Sequence, residues 1–338
     1  MLRPTARLSA AAEWLYVTNM AVAARIRPLD LFSKEEWAWV SARNDWLGLG
    51  QIVHCWGIIA LAIAAVAWQP WLIPLAIPIV GARQLGLVIL MHDAAHGGLH
   101  TNRKVNDFVG HWFCGAPIGS HVKAYRTYHL THHKFAQQPE DPDLILSKPF
   151  PVTKASLRRK IIRDLTGQTF YKQRVNQFAN ALGIGIRPGK GAENRSQSAR
   201  EAVIPMLITN AILFAILALA GVWWAFFAVW LLPMATWFMM VTRLRNIAEH
   251  AVVPDNQDPM RHARTTLTHG WEGLLIAPYW VNYHCEHHMF MHLPSYRLGR
   301  AHKALARKGV TERMEVQRGY RSVLAMATSK PEGAAIPA

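Results

Sequence analysis

Residues 71–96 read WLIPLAIPIVGARQLGLVILMHDAAH. From Trp71 to Met91 the stretch supplies the roughly 20 apolar residues that a helix needs to cross hydrocarbon at about 1.5 Å per residue. It then runs without a helix breaker into His92 and His96. On a helix, imidazoles four residues apart share one face with their Cβ atoms about 6 Å apart. The whole segment measures about 39 Å and so protrudes beyond a hydrocarbon core of roughly 30 Å. A spanning helix with a histidine pair on its protruding end sets the fold class: an all-α integral membrane protein. The pair alone is weak evidence of chemistry, since two ordinary helical histidines read the same way.

Working outward, residues 47–68 form a second apolar run, separated from the first only by Gln69 and Pro70, which predicts a tight helical hairpin. A longer run, 202–242, breaks at Gly221. A single helix of that length would be about twice the thickness of the hydrocarbon core, so the reading is two spans, 202–220 and 222–242. Four transmembrane helices in two hairpins would leave residues 1–46, 92–201 and 243–338 on one face. Every Lys and Arg except Arg83 falls in those segments, which makes that face cytoplasmic by the positive-inside rule. The expected organisation is a cytosolic or interfacial N-terminal segment 1–46, a membrane domain 47–305 and a C-terminal tail 306–338. Residues 1–28 read as an amphipathic interfacial helix rather than a cleaved signal peptide, because Glu13 and Asn19 interrupt the apolar stretch. Arg83 and Gln84 lie inside the second span; Arg83 falls nearly opposite His92 at 100° per residue, so pairing with another helix's backbone is the expectation.

Composition agrees with a membrane chain. Of 338 residues, 51% are hydrophobic and 17% charged, with a formal net charge of +16. A soluble nucleic-acid binder carries such charge on a polar surface, and a disordered basic chain lacks the 14 Trp and 12 Phe found here, so no nucleic-acid partner is expected. Cys55, Cys114 and Cys285 form no CxxC pair, which excludes a disulfide framework and a thiolate metal site. The stretch GIGIRPGKG at 183–191 is not a phosphate loop, because its glycine spacing is wrong and no Ser or Thr follows the lysine.

Histidine is the unusual residue, with 17 in the chain. Beyond His92 and His96 comes HLTHH at 129–133, then HCEHH at 284–288, so that His129, His132, His133 and His284, His287, His288 repeat one spacing. Asn246 and His250, four apart where the fourth span leaves the membrane, mirror the first pair. Adjacent neutral imidazoles gain nothing from each other and protonated ones repel, so a metal is the economical reason to gather them. Nine histidines exceed the ligand capacity of one ion, which implies two ions; imidazole suits Zn, Cu, Fe and Ni, so spacing does not name the element.

HDAAH, then HLTHH followed by EDPD, then NYHCEHHMFMHLPSYRLGRAH resemble the three histidine boxes and flanks of the membrane fatty acid desaturase and hydroxylase superfamily. The resemblance covers residues from about 47 to 305. It implies a four-span helical protein with a cytosolic helical cap, a narrow acyl tunnel and two Fe ions, held by the nine histidines and, through water, by Asn246. The same resemblance implies O₂ as co-substrate and a lipid or acyl substrate. The chain carries no heme-binding HPGG segment, so a separate ferredoxin-like or cytochrome-type electron donor is expected. The basic 154–200 segment is the expected docking patch for an acidic donor. Asp93, Glu249 and Glu286 adjoin the predicted ligands, and Asp141 and Asp143 lie farther off; all five are expected to hold rings in the correct tautomer. His100 continues the row from His96 and is expected beside the site. His54, His111, His121, His262, His269, His292 and His302 are left unassigned.

The expected reaction is O₂-dependent desaturation of a lipid-linked acyl chain, in the bacterial inner membrane. Hydroxylation, or ketolation of a carotenoid-like ring, is the alternative that box spacing does not separate. A histidine-rich metal transporter would place ionisable residues near the bilayer midplane, whereas these clusters lie beyond the spans. A zinc hydrolase would need one small ligand set with an open position.

Overall fold

The computed structural model describes residues 25–185 and 192–331. The N-terminal stretch 1–24 and most of the glycine-rich loop 183–191 therefore lie outside the described residues. The fold is mostly helical, and among the described residues four helical stretches are long and apolar enough to cross a membrane: Lys34–Trp68, Pro70–His96, Gln197–Leu219 and Phe226–His250.

The chain enters through α1 (Lys34–Ser41), which opens with a capping box: Ser33 Oγ accepts the Glu36 N–H and the Glu36 carboxylate accepts the Ser33 N–H. Phe32 and Val40 bury against Met289, Phe290 and Leu298, which joins the N-terminal segment to the cap. Asn44 then caps α2 (Asp45–Trp68) by accepting the Leu47 N–H, and Gln69-Pro70 ends it where the hairpin was expected. Pro70 helps to close the turn because it fixes φ and offers no N–H to a continuing helix.

The return helix α3 (Ile73–His96) is the central post of the molecule, buried on every side from Val80 to Met91 except at Val88. Two glycines let neighbours approach. A Cβ at Gly48 of α2 would sit 2.0 Å from the Leu99 carbonyl oxygen, and one at Gly86 of α3 would sit 2.6 Å from the Tyr279 ring. Arg83 donates to the Leu274 carbonyl at 2.7 Å and Gln84 donates to the Trp230 carbonyl at 2.8 Å. Both polar residues of the span thus satisfy backbone oxygens of neighbouring segments, as the opposed placement of Arg83 and His92 suggested. Leu274 belongs to α10 (Gly270–Leu275), a short helix packed on α3, and the Trp237 indole N–H serves its Leu275 carbonyl at 3.2 Å. In hydrocarbon such carbonyls need protein donors.

After α3 come α4 (Arg103–Val109), α5 (Val122–Phe135), α6 (Lys154–Leu165) and α7 (Gln168–Ala181). The third span lies in α8 (Ala192–Leu219) and stops at the expected glycine. Gly221 takes φ +74°, its N–H meets the Ala218 carbonyl at 3.0 Å, and the Val222 N–H meets the Leu217 carbonyl at 2.8 Å. That is a Schellman cap, which needs a left-handed residue at this point. The fourth span departs from expectation. It begins at Phe226 rather than 222 and is irregular: a π-turn over Phe226–Leu231 and a turn at Pro233 precede α9 (Trp237–His250). Gln84 donates to the Trp230 carbonyl inside the π-turn.

The cap is completed by α11 (His284–Met289), α12 (Ser295–Arg307), α13 (Gly319–Ala327) and a two-stranded parallel sheet in which β1 (Thr265–Leu267) pairs with β2 (Val316–Arg318). The residues beyond 305, read from sequence as a tail, are built into the body of the protein. Tyr320, Val323 and Ala327 enter the main core at helical spacing, and the Val152 N–H meets the Ala327 carbonyl at 2.8 Å. Burial of the Tyr320 and Val323 side chains contributes about 1.5–3 kcal/mol each. Their period is short and lies in a basic stretch, so hydropathy alone does not reveal it.

Candidate metal centre

Four helices bring the histidines together. The end of α3 carries His92 and His96, α5 carries His129, His132 and His133, the end of α9 carries His250, and α11 carries His284, His287 and His288. The protruding end of α3 stops at the point that aims His96: Gly97 takes φ +75°, and the Gly98 N–H returns to the Asp93 carbonyl at 2.7 Å. The nine rings sort into two groups, His92, His96, His129, His133, His287 and His132, His250, His284, His288. Within each group all the donor atoms lie within 4.8 Å of one another. Helical geometry explains the sorting. Residues four apart share a face, so His129 goes with His133 and His284 with His288. The odd members, His132 and His287, point round the helix and join the opposite group. Each HxxHH motif therefore spans both groups.

Tautomers follow from the outer partners of the rings. His132 Nδ1 lies 2.8 Å from Asp141 Oδ1, and that carboxylate also accepts the Gln137 and Asp143 N–H groups. His250 Nδ1 lies 3.1 Å from the His262 carbonyl, and His284 Nδ1 lies 3.3 Å from Glu249 Oε1. Oxygens accept, so each Nδ1 carries the hydrogen and each Nε2 presents a lone pair. Yet His250 Nε2 and His284 Nε2 stand 2.9 Å apart, and His288 Nε2 stands 3.1 Å from His284 Nε2 and 3.3 Å from His132 Nε2. In the other group His133 Nε2 is 2.9 Å from the Nε2 atoms of both His129 and His287. His92 Nε2 and both nitrogens of buried His96 have no hydrogen-bond partner. Lone pairs converging in this way need a shared cation.

A proton is a poor candidate for it. Burial, reinforced by the neighbouring imidazoles, holds His129, His133, His284, His287 and His288 well below the usual imidazole value of 6.5. Neutral, oriented imidazoles are the donor set that transition metals select. The residues present thus fit a metal at each group.

The remaining candidates divide. Asn246 lines a cavity of about 190 Å³ together with His129, His132, His250 and His284. Asp141 holds His132, while Asp143 lies 3.7 Å from the same ring nitrogen and accepts the Tyr128 hydroxyl at 2.5 Å. Glu249 is shared between His284 and the Arg245 guanidinium, whose Nε donates to it at 2.6 Å. Asp93 lies 3.7 Å from His92 and accepts the Ser295 N–H at 2.9 Å. Glu286 is not placed to orient any of the nine rings: it accepts the Thr265 hydroxyl and pairs with His302 at 2.6 Å, because on α11 it points away from His284 and His287. His100 turns to Asp45 at 3.5 Å, outside both groups, since the helix has ended at Gly97. Sequence reasoning missed His262, Tyr125 and Arg245. His262 has no helical partner spacing, and its ring centroid nonetheless lies 5.2 Å from that of His288.

Comparison with known proteins points the same way. The chain is 26% identical to dihydrorhizobitoxine desaturase of Bradyrhizobium elkanii over 268 residues, covering 76% of this chain and 74% of that protein. It is 22% identical to sn-1 oleoyl-lipid 12-desaturase of Synechocystis sp., covering 74% and 73% of the two chains. It is 24% identical to beta-carotene ketolase of Paracoccus sp., covering 76% of this chain and 92% of the ketolase. The sequence profile of the fatty acid desaturase family matches residues 67–317, which contain all nine clustered histidines, the return helix of the first hairpin and the whole of the second. On that match, with a helical membrane fold and two imidazole groups able to hold metal, the chain belongs to the fatty acid desaturase family, an oxidoreductase family of membrane proteins acting on lipids.

Proposed function

We propose that the protein desaturates a lipid-linked acyl chain with O₂, at a centre of two irons held by the nine clustered histidines and by Asn246 through water. Irons bound there would supply the reduction of O₂ and the removal of hydrogen from an unactivated carbon. The electrons balance if two come from the chain, –CH₂–CH₂– becoming –CH=CH–, and two from a separate donor, with two protons taken up and two waters released. The observation that carries the reading is the convergence of neutral Nε2 atoms into two groups, at 2.9 Å between His250 and His284 and 2.9 Å between His133 and His287. Neither a transporter nor a single-zinc hydrolase has a use for that arrangement.

The rest of the chain's work is binding and orientation. Leu146, Thr242 and Asn246 line both the 190 Å³ cavity beside the histidines and a second of about 220 Å³. The second is walled on one side by Phe150, Phe238, Met239 and Ile247, which suit an alkyl chain, and on the other by Thr169, Gln173 and Arg243. Asp141 and Glu249 hold their rings in the tautomer that offers Nε2. Burial keeps bulk water from the centre. Exposed Arg158, Arg159, Arg163 and Lys172 on α6 and α7 form the surface on which we place an acidic electron donor. The centre and both termini face the cytoplasm, by the charge asymmetry of the segments.

Ketolation or hydroxylation is the second reading, favoured by the similarity to a ketolase over 92% of that protein. Lipid extracts from hosts expressing wild type and His287→Ala test the proposal. A new double bond present only with wild type supports it, a new ketone or alcohol moves it to the second reading, and identical extracts across hosts refute it.

A further inference from the structure

Arg83 carries a charge inside the first hairpin, and the carbonyl it serves accounts for only part of its place there. It is 4% exposed, it donates to the Leu274 carbonyl at 2.7 Å, and its guanidinium carbon lies 5.3 Å from the centre of the Tyr279 ring. A carbonyl and a ring face occupy donors without neutralising the cation. No Asp or Glu lines the cavity that Arg83 helps to wall, and a guanidinium does not shed its proton to escape burial. Buried charges are stable when paired, so the site calls for an anion from outside the chain.

The cavity, of about 560 Å³, lies between α2, α3 and the segment that joins α10 to α11. Its polar groups come from Gln51 and His54 of α2, Arg83 of α3 and Tyr279. His54 Nδ1 lies 3.0 Å from the Tyr279 hydroxyl. A neutral imidazole and a phenol carry one donor each, and that bond uses one, so an N–H or an O–H is left over in either tautomer. The backbone holds Tyr279 and Trp280 here in the left-handed region, at φ +54° and +57°, which bulky residues rarely adopt. Trp46, Leu47 and Trp280, all exposed, supply an apolar mouth. A cation in the interior and aromatic rings at the mouth are the lining that suits an amphiphile.

Depth in the membrane narrows the class. At 1.5 Å per residue Arg83 lies about 12 Å inward of Met91, where α3 leaves its apolar stretch. A guanidinium at that depth thins the bilayer locally and draws water inward, and basic pockets between spans on the cytoplasmic side take anionic lipid headgroups. We propose that this cavity binds the phosphate of an anionic membrane phospholipid, with Arg83 as its counter-ion and the His54–Tyr279 pair as a second donor. Gln51 Oε1, buried without a partner, is the acceptor available to a headgroup hydroxyl. The cavity shares no lining residue with the three that touch the histidine centre or the proposed acyl route, so the bound lipid is distinct from the chain that is oxidised.

The test uses delipidated full-length protein in detergent. Native mass spectrometry gives Kd for phosphatidylglycerol and phosphatidylcholine with wild type, Arg83→Gln and Gly50→Trp, each first checked for folding by circular dichroism. Gly50 lines the cavity and a Cβ there would meet nothing within 4 Å, so an indole has room to fill the space. Wild type is expected to bind one phosphatidylglycerol more tightly than phosphatidylcholine, whose own cation compensates its phosphate. Loss of the charge-assisted hydrogen bond in Arg83→Gln weakens phosphatidylglycerol about tenfold, equivalent to about 1.4 kcal/mol, and Gly50→Trp weakens it at least as much. A Kd within about twofold of wild type in folded Arg83→Gln overturns the proposal. Should that variant not fold, the same result in Gly50→Trp overturns it instead. Equal affinity for the two lipids also overturns it, as does displacement of phosphatidylglycerol by excess inorganic phosphate, which would make the ligand a free phosphate rather than a lipid.

Discussion

His250 and His284 meet Nε2 to Nε2 at 2.9 Å, while the opposite nitrogen of each ring faces an oxygen, the His262 carbonyl at 3.1 Å and Glu249 Oε1 at 3.3 Å. Two lone pairs held face to face inside a protein are repulsive unless a cation lies between them. A metal held by both rings would join helix α9 to helix α11, and the first prediction concerns the contents of each group. His250→Ala removes a donor from the four-ring group only, so metal content is expected to fall from about two ions per chain towards one, with loss of activity. His96→Ala should do the same at the five-ring group. Metal analysis of the folded fraction checks both.

Asp141 tests orientation rather than ligation. Its carboxylate fixes the Nδ1–H tautomer of His132, and the loss of such an outer partner typically costs 10–100-fold in metal affinity or activity. Asp141→Asn is expected to fall in that range, seen as faster metal loss to a chelator while the helical circular dichroism is unchanged.

Close approach of α2 to the turn after α3 depends on Gly48. A Cβ there would lie 2.0 Å from a backbone oxygen of Leu99, which no rotamer change can relieve. Gly48→Ala is expected to lower the yield of folded protein sharply, by size-exclusion chromatography, whereas Gly57→Ala in the same helix, with open space around it, is tolerated.

Thr242 lines both cavities of the proposed route. Thr242→Trp is expected to cut turnover at least tenfold with metal content intact, because the indole projects from the wall they share. Turnover that survives the substitution would remove this route from the account.

The fold and the centre were legible in the sequence to different depths. The apolar lengths, Gln69-Pro70 and Gly221 suffice to place both hairpins, because hydrocarbon thickness and helix rise leave little choice. The i, i+4 spacing likewise brings the nine histidines to one place. What sequence does not reveal is their partition, since His132 and His287 cross to the other group only when α5 and α11 face each other. Glu286 illustrates the limit. It adjoins His287 in sequence, yet helical rotation turns it to Thr265 and His302. His262 and the core helix α13 escaped because tertiary packing, not local period, gives them their places. The irregular fourth span, a π-turn followed by a break at Thr236, is fixed by packing, including a donor on a different helix, Gln84, that serves the Trp230 carbonyl.

The donor surface gives a kinetic prediction. Replacing Arg158, Arg159 and Arg163 together with Glu should slow reduction by an acidic donor and flatten its dependence on ionic strength, without changing metal content, because steering by exposed charge is screened over about 10 Å at 0.1 M salt. Stopped-flow reduction at several salt concentrations measures it.

Metal analysis of the purified wild-type protein bears most directly on the central claim that the nine histidines hold a pair of redox metals. The account predicts about two irons per chain, both lost when the histidines of both groups are replaced. One tightly bound zinc per chain, or full activity in a metal-free preparation, would contradict it.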